Sequence, residues 1–285
     1  MRIAVMGDIH GNDAALEKCI KEALWRGAYA FIFLGDYVSD MPKPRRVMNR
    51  LYAAMGKYPC WFIKGNKEDY WINHRNKMGN AEWSDYSSAS GMLYYTYNNL
   101  YNEDIDFFET LPISRRIDIT GAPSITICHG SPFRANEEMI RGDERTDEIM
   151  DAVDTDVILC AHTHRQWKYE HNGKTLINPG SVGMPLGSEG KAQFSIIDNA
   201  SGKWNVEFIS VAYDVEKVID EINEAGLHLH APCWIMLTKK TLRDGHAYHM
   251  KALRIAYALC EKETGHCDWS SIPERYWEAA IKEVV

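Results

Sequence analysis

Short apolar runs alternate with amphipathic segments along the first part of the chain. Residues 2–6, 30–34 and 60–63 form apolar runs of strand length. Between them, apolar side chains recur at helical spacing, and Pro44 stands where the second amphipathic segment begins. This alternation predicts a parallel sheet with helices packed outside it, and therefore an α/β fold.

A second group of apolar runs predicts more strands in the middle of the chain. These runs cover 124–128, 157–160, 174–177, 192–197 and 205–210. Asn172-Gly173, just before one of them, is typical of a hairpin turn. Upstream of these strands, the segment 68–110 is rich in Tyr, Asn and Trp and is expected to form a mostly helical insertion.

The strand pattern ends near residue 213. Beyond it, apolar residues recur at helical spacing over 215–226, 233–243, 247–264 and 273–284. We therefore predict two units. Residues 1–213 contain the sheet, and residues 214–285 form a C-terminal helical appendage.

Several polar residues directly follow the predicted strands, within loops that contain glycine. Asp8 and His10 follow the first strand, and Asp36 follows the second. Because ligands gather beyond the carboxyl ends of parallel strands, these side chains are expected to lie close together. The complete candidate set consists of Asp8, His10, Asp36, Asn66, His129, His162 and His164.

The residue types in this set predict a metal site. Asp8 and His10 are two residues apart, as are His162 and His164, so in a regular strand each pair would face one side. Carboxylate and imidazole ligands suit Mn, Fe, Zn, Co or Ni. The candidates are too many for one tetrahedral ion and fit two divalent ions that share a carboxylate. The ligand types do not single out one metal, and manganese is the expected ion.

Composition and charge narrow the range of partners. Hydrophobic residues make up 45% of the 285 residues, and no stretch is long and apolar enough to span a bilayer. The net charge of −8 disfavours a stable nucleic-acid complex, since such affinity comes mainly from Lys and Arg. The seven cysteines are scattered, which disfavours a disulfide framework. No signal peptide is recognisable, so we expect a cytoplasmic protein, with its oligomeric state open.

Together, the motifs resemble those of the calcineurin-like metallophosphoesterase superfamily. The family pattern is Asp-x-His, Gly-Asp, Gly-Asn-His-Glu, His and Gly-His-x-His, in that order. The matching segments are Asp8-Ile9-His10, Gly35-Asp36, Gly65-Asn66-Lys67-Glu68, His129 and Ala161-His162-Thr163-His164. The match runs from Met1 to about Val211 and is closest to the small bacterial and archaeal phosphodiesterases. The resemblance implies a four-layer α/β/β/α sandwich with the metals at one edge of the central sheets.

The resemblance also implies roles for individual residues. The first metal would be held by Asp8, His10 and His164. The second would be held by Asn66, His129 and His162, and Asp36 would bridge the two ions. The residues implied in catalysis are Asp36, Asn66, Lys67 and His129.

Lys67 stands where many family members have a histidine that is thought to protonate the leaving group or stabilise the transition state. Lysine supplies positive charge but is a poor acid near neutral pH, so we hypothesise that Lys67 contacts the substrate phosphate. Ala161 replaces a family glycine, a small change with little expected effect. Asn12 is interpreted as a helix cap or a substrate contact, and Arg134 as a phosphate contact or a solvated arginine.

The expected function is that of a dinuclear metal-dependent phosphoesterase in which a metal-bound hydroxide attacks the phosphorus. A small or nucleotide-type phosphodiester is the favoured substrate. The alternatives are a phosphomonoesterase or phosphoprotein phosphatase, a dinucleoside polyphosphate hydrolase, and a catalytically silent metal-binding scaffold. A nuclease acting on long nucleic acid is disfavoured by the acidic charge balance. Residues 214–285 are expected to cap or border the active-site face.

Overall fold

Two five-stranded sheets form the centre of the fold. The structure, a computed structural model, describes residues 1–78, 83–200 and 202–285. The strands of the first sheet are β1 (Arg2–Met6), β2 (Ala30–Phe33), β3 (Cys60–Phe62), β9 (Ala192–Asp198) and β10 (Asn205–Val211). Their order is β10-β9-β1-β2-β3, in which β1, β2 and β3 are parallel and β9 is antiparallel to both of its neighbours.

The second sheet has the same number of strands and the same mixed character. Its members are β4 (Ser114–Ile117), β5 (Ile125–Cys128), β6 (Val157–Leu159), β7 (Gln166–His171) and β8 (Lys174–Pro179). The order is β4-β5-β6-β8-β7, with β5, β6 and β8 parallel. The two edge strands are antiparallel to their neighbours: β4 pairs with β5, and β7 pairs with β8. β7 and β8 form the hairpin predicted at Asn172-Gly173.

The alternation of side chains along the central strands produces the layers. In β1, Ile3 and Val5 pack against apolar side chains of the second sheet, whereas Ala4 and Met6 pack against helices. Successive residues of a strand point to opposite faces, so a strand buried on both faces is apolar throughout. The outer helices of the first sheet include α1 (Asp13–Trp25) and α2 (Pro44–Met55).

Helix α6 (Glu144–Ala152) covers the outer face of the second sheet through Ile149 and Met150. The layers therefore run helix, sheet, sheet, helix, and the predicted α/β/β/α sandwich is confirmed. The parallel pairing predicted for the first three strands is confirmed in β1, β2 and β3, and the antiparallel strands make each sheet as a whole mixed. Strand β4 was not predicted, since Arg115 and Arg116 are exposed and leave almost no apolar pattern.

The segment predicted as a helical insertion contains three helices. They are α3 (Asn66–Arg75), α4 (Gly91–Asn98) and α5 (Asn102–Thr110). The first of these begins two residues before the predicted insertion, at Asn66. Residues 79–82 of the predicted segment lie outside the described residues.

The C-terminal residues are helical, as predicted. Their α-helices are α7 (Val215–Glu224), α8 (Leu227–His230), α9 (Pro232–Asp244), α10 (Tyr248–Thr264) and α11 (Glu274–Val284). Ile219 of α7 and Ile235 of α9 share a buried cluster with Met41, Met92 and Met184. The C-terminal helices therefore share a core with the part of the chain before residue 213. Among the described helices, none is long and apolar enough to cross a membrane.

A buried carboxylate connects the loops that follow β2 and β3. The side chain of Glu68 accepts hydrogen bonds from the backbone N–H of Asp36, Tyr37 and Gly65, at 2.8, 2.9 and 2.7 Å. Glu68 itself is fully buried. Each of these N–H groups would otherwise be buried without an acceptor, so this single carboxylate fixes the separation of two loops.

We expect Glu68→Gln to lower the free energy of unfolding by about 2 kcal/mol or more, because the amide –NH₂ would face backbone N–H donors. Burial and the nearby Asp36 raise the pKa of Glu68 to about 8, against the effect of its N–H donors. Because the folded-state pKa of Glu68 lies above its unfolded value, ionisation of Glu68 costs stability, and chemical denaturation is therefore compared at pH 7. Glu283→Gln, on the exposed face of α11, is the control. Equal stability of the two variants would contradict the proposed role of Glu68.

Candidate metal centre

The predicted ligands meet at the edge where strands of both sheets end. Five of them have left-handed backbone conformations, which L-residues adopt at a cost of about 1–2 kcal/mol each. The φ angles are 52° at Asp8, 48° at His10, 51° at Asp36, 67° at His162 and 57° at His164. The regular strand geometry considered from the two-residue spacing is therefore wrong. Turns, held by the surrounding packing, bring these side chains together.

Asp8, His10 and His164 form the first group of ligand atoms. The Nε2 atoms of His10 and His164 lie 3.1 Å apart. The Nε2 atom of His164 is 3.5 Å from Oδ1 of Asp8. This Oδ1 atom is buried and has no hydrogen-bond partner, although buried carboxylate oxygens are almost always paired. The three side chains thus offer converging lone pairs to a cation.

Asp8 and Asp36 form a second group with His129. The Nε2 atom of His129 is 3.5 Å from Oδ1 of Asp36 and 3.8 Å from Oδ1 of Asp8. Oδ1 of Asn66 lies 3.2 Å from the same Nε2 atom, and the ring of His162 lies 5.1 Å from that of His129, measured between centroids. All the residues of the predicted second metal position are therefore adjacent.

Asp36 lies between the two groups. Its Oδ2 atom is 3.7 Å from Nε2 of His10, whereas its Oδ1 atom is 3.5 Å from Nε2 of His129. The two oxygens of one carboxylate therefore face different groups. A carboxylate in this position could be shared by two ions.

The outward nitrogen of three of these histidines meets a hydrogen-bond acceptor. Such a contact fixes the tautomer and leaves the lone pair of Nε2 free for a metal. Nδ1 of His10 lies 2.9 Å from Oδ2 of Asp40. Nδ1 of His129 lies 2.7 Å from the carbonyl oxygen of Leu34, and Nδ1 of His164 lies 2.7 Å from the carbonyl oxygen of Met184. Asp40 was not among the predicted site residues. Its position four residues after Asp36 is the one sequence signal for it.

Burial disfavours the charged forms of His129 and His162, and the pKa values of the two carboxyls shift in opposite directions. Burial lowers the pKa of His129 and lowers that of His162 to about 4, with His129 adding to the second shift. Burial, and then Asp36, raise the pKa of Asp8. Burial also acts to raise the pKa of Asp36, but His129 and His10 outweigh it and the pKa is lowered. Neutral imidazoles and ionised carboxylates are the forms that bind metals.

The loop after β8 packs behind the ligands. Ser181 Oγ donates to the backbone carbonyl of Asp8 at 2.8 Å, and the N–H of Gly183 donates to the same carbonyl at 2.9 Å. Oδ1 of Asn12 accepts from the N–H of Ala15, at the start of α1, at 3.1 Å. Its Nδ2 donates to the carbonyl of Gly183 at 3.1 Å. Asn12 is therefore the helix cap, and its buried amide is not available as a substrate contact.

A cavity of about 1060 Å³ opens above the ligands. Among the described residues, five cationic side chains line it and none of them makes an ion pair: Lys67, Arg141, Arg165, Lys251 and Arg254. The carboxylates in the lining are Asp36, Asp40 and Glu138. The lining is therefore cationic in a chain of net charge −8. Arg134 is exposed but does not line the cavity, so the predicted phosphate contact is not formed there.

Lys67 lies at the base of this cavity, next to Asn66. Its Nζ atom is 5.5 Å from the centre of the Tyr70 ring. Burial acts to lower the pKa of Lys67, but Asp40, Tyr70 and Asp36 outweigh it and the pKa is raised. The neighbouring carboxylates therefore favour the charged form of Lys67, which makes it a poor acid near neutral pH. The other cavity cations, from α10 and from the loops after β5 and β6, had no motif in the sequence.

Comparisons with known proteins agree with this geometry. An uncharacterized protein from Methanocaldococcus jannaschii is 26% identical over 237 residues, which cover 77% of this chain and 91% of that protein. A hypothetical protein from Pyrococcus horikoshii is 24% identical, with a TM-score of 0.71, over 86% of this chain and 99% of its own. A metallophosphoesterase from Sphaerobacter thermophilus gives a TM-score of 0.68 with the same identity and coverage. The two solved structures show that the fold is shared.

A family model matches the part of the chain that contains the candidate metal ligands. The model of the calcineurin-like phosphoesterase family matches residues 1–166, which include all seven predicted metal ligands. This match covers more than half of the chain. The chain therefore belongs to the calcineurin-like phosphoesterase family and is a phosphoester hydrolase.

Proposed function

We propose that this chain is a two-metal phosphodiesterase that cleaves small or nucleotide-type phosphate esters. The observation that carries the proposal is the pair of ligand groups that share Asp8, with Asp36 between His10 and His129, beside a large cationic cavity. Asp8, His10 and His164 would hold one ion. Asn66, His129 and His162 would hold the other, and Asp36 would be shared by the two. Manganese is the favoured ion, and Fe, Zn, Ni and Co are compatible with the same ligands.

The donor set fits two divalent ions. Oδ1 of Asp8 is buried without a partner, and a cation placed among the converging nitrogens would satisfy it. When bound, the metals supply a Lewis-acid centre for the phosphoryl oxygens and lower the pKa of water. The protein holds the ligands through Asp40, Leu34 and Met184, so that the coordination geometry is formed before substrate arrives.

Lys67 favours a substrate with a good leaving group. In this proposal its ammonium neutralises charge on the non-bridging phosphoryl oxygens as the transition state forms. Asp40 and Asp36 favour the charged form of Lys67, so it does not supply a proton to the departing oxygen. An ester with an acidic leaving alcohol requires no such proton, whereas an alkyl leaving group does. The preference for a diester over a monoester is supported instead by a cavity large enough for a second ester group.

The cavity supports a nucleotide-type substrate. Its volume of about 1060 Å³ is at the upper end of typical small-molecule sites, and far exceeds the size of a phosphate group. Trp167, Trp269 and Tyr70 provide aromatic surface in its lining, which suits a planar base. Lys251 and Arg254, one turn apart on α10, provide charge for a second anionic group. A dinucleoside polyphosphate would meet the same requirements and is the second candidate.

Removing the bridging carboxylate tests the two-metal reaction. We expect wild-type protein with manganese to hydrolyse bis-p-nitrophenyl phosphate faster than p-nitrophenyl phosphate, and chelator to abolish both activities. Asp36→Asn should lower kcat by about a hundredfold or more, because the shared ligand loses its charge. Asp106→Asn, at an exposed ion pair with Arg75, should have no effect. Two bound metals without turnover on either ester would instead favour the silent scaffold.

The role of Lys67 is tested by deleting its charge. Lys67→Ala should lower kcat/KM for bis-p-nitrophenyl phosphate about tenfold or more, and Lys67→Arg should retain part of the activity. Lys64→Ala is the matched control, since Lys64 pairs with Asp69 and does not line the cavity. The phosphate-contact hypothesis is wrong if Lys67→Ala leaves kcat/KM unchanged.

The second anionic subsite is tested with two diesters that differ by one phosphate. The double variant Lys251→Ala/Arg254→Ala should raise KM about fivefold for the p-nitrophenyl ester of thymidine 3′,5′-bisphosphate. KM for the ester that lacks the 3′-phosphate should change little. Lys262→Ala/Lys282→Ala removes the same charge from helix surfaces outside the cavity and serves as control. Equal changes for both diesters would contradict a specific subsite.

A further inference from the structure

A C-terminal helix reaches the metal centre through two hydrogen bonds. Trp234, on α9, donates its indole Nε1–H to Oδ1 of Asp40 at 2.6 Å. The other oxygen of Asp40, Oδ2, lies 2.9 Å from Nδ1 of His10. Asp40 is only 4% exposed, so water does not compete freely for these contacts. One buried carboxylate therefore joins an indole of the C-terminal helices to a predicted metal ligand.

We propose that Trp234 is a positioning residue for the metal centre and that α9 thereby sets the metal affinity. The inference rests on the proposed two-metal function. Asp40 is held in one rotamer because each of its oxygens has a partner. That rotamer fixes the imidazole plane of His10 and directs Nε2 towards Asp8 and His164. Without the indole donor, Asp40 can rotate, and the order of the His10 ring decreases.

The surroundings of Trp234 hold the indole in place. Its backbone N–H donates to Oγ of Ser88 at 3.3 Å, and the preceding N–H, of Cys233, donates to the same oxygen at 2.8 Å. Its ring lies 4.4 Å from that of His249 and 6.0 Å from that of Trp277, measured between centroids. An indole fixed on both sides can transmit its position to Asp40, which a mobile surface side chain could not do.

Trp234 lies outside the region matched by the family model and also lines the cavity. The family match ends at residue 166, whereas Trp234 lies well beyond it. The metal position that contains His10 therefore depends on residues outside the matched region. Trp234 and His249 also line the substrate cavity. The same side chain thus borders the substrate and supports a metal ligand.

Trp277 offers a matched control for a purely structural effect. It is fully buried, and it packs against Trp234 in the cluster formed by α9, α10 and α11. Its Nε1–H has no hydrogen-bond partner. Replacing either tryptophan with phenylalanine removes one indole N–H and reduces the ring. Only the change at residue 234 removes a donor from Asp40.

The experiment is a manganese titration of Trp234→Phe, Trp277→Phe and wild-type protein by calorimetry, with manganese as the only ligand. We expect Trp234→Phe to weaken one of two binding events about tenfold, as is typical when the outer partner of a metal ligand is lost. Trp277→Phe should bind as wild type does. In assays with bis-p-nitrophenyl phosphate, Trp234→Phe should need more manganese for half-maximal activity but recover most of kcat at saturation. Thermal unfolding of both variants without metal distinguishes this effect from a folding defect, because bound metal stabilises the folded state.

The outcomes separate the two proposals. If wild-type protein binds no manganese, the proposed function fails and the inference fails with it. If wild type binds two ions and Trp234→Phe binds them equally well, or if both tryptophan variants lose affinity equally, only the inference is overturned. Should Trp234→Phe not fold, Asp40→Asn decides, since it alters the same contact at its centre. It should weaken manganese binding at least as much, and unchanged affinity would overturn the inference.

Discussion

Two buried carboxylates impose the constraint on which the rest of this structure depends. Asp8 and Asp36 lie at the edge where both sheets end, with almost no exposure to solvent. Burial lowers the pKa of His129 and of His162, which disfavours the cationic forms that would compensate this charge. Such an arrangement is costly for a protein alone and becomes favourable when cations occupy it. The left-handed backbone conformations of both residues add strain. The loop after β8 and the hydrogen bonds to the Glu68 carboxylate stabilise these conformations.

The sequence predicts the parts of the site that follow from strand positions. Asp8 and Asp36 follow apolar runs that could only be central strands, and the ends of parallel strands meet at one edge. Their convergence was therefore predictable, and the motif order added the histidines. The backbone geometry was not predictable, because left-handed conformations of Asp and His leave no periodic signal in the sequence. The roles of Asp40 and Glu68 were not predicted, for another reason. Each acts through hydrogen bonds to partners that only the folded loops bring near.

The same difference applies to the C-terminal helices. Apolar spacing predicts α7, α9, α10 and α11 closely, because each buries one face. Spacing does not indicate where a helix packs. Lys251 and Arg254 are ordinary exposed cations in the sequence, and only the packing of α10 beside the metal centre makes them part of a cavity. The local charge of that cavity is opposite to the charge of the whole chain, so net charge alone was a poor guide to the substrate.

Asp40 acts on two residues of the candidate site, His10 and Lys67. It orients His10, and it also raises the pKa of Lys67, the residue that replaces the family histidine. A lysine in this environment remains charged, so it can attract and stabilise phosphoryl oxygens but cannot act as the acid for the leaving group. In the proposed reaction, catalysis then depends more on metal charge, and the orientation of His10 would influence the metal affinity. The indole of Trp234 contacts the carboxylate that faces both His10 and Lys67, so the C-terminal helices would influence both.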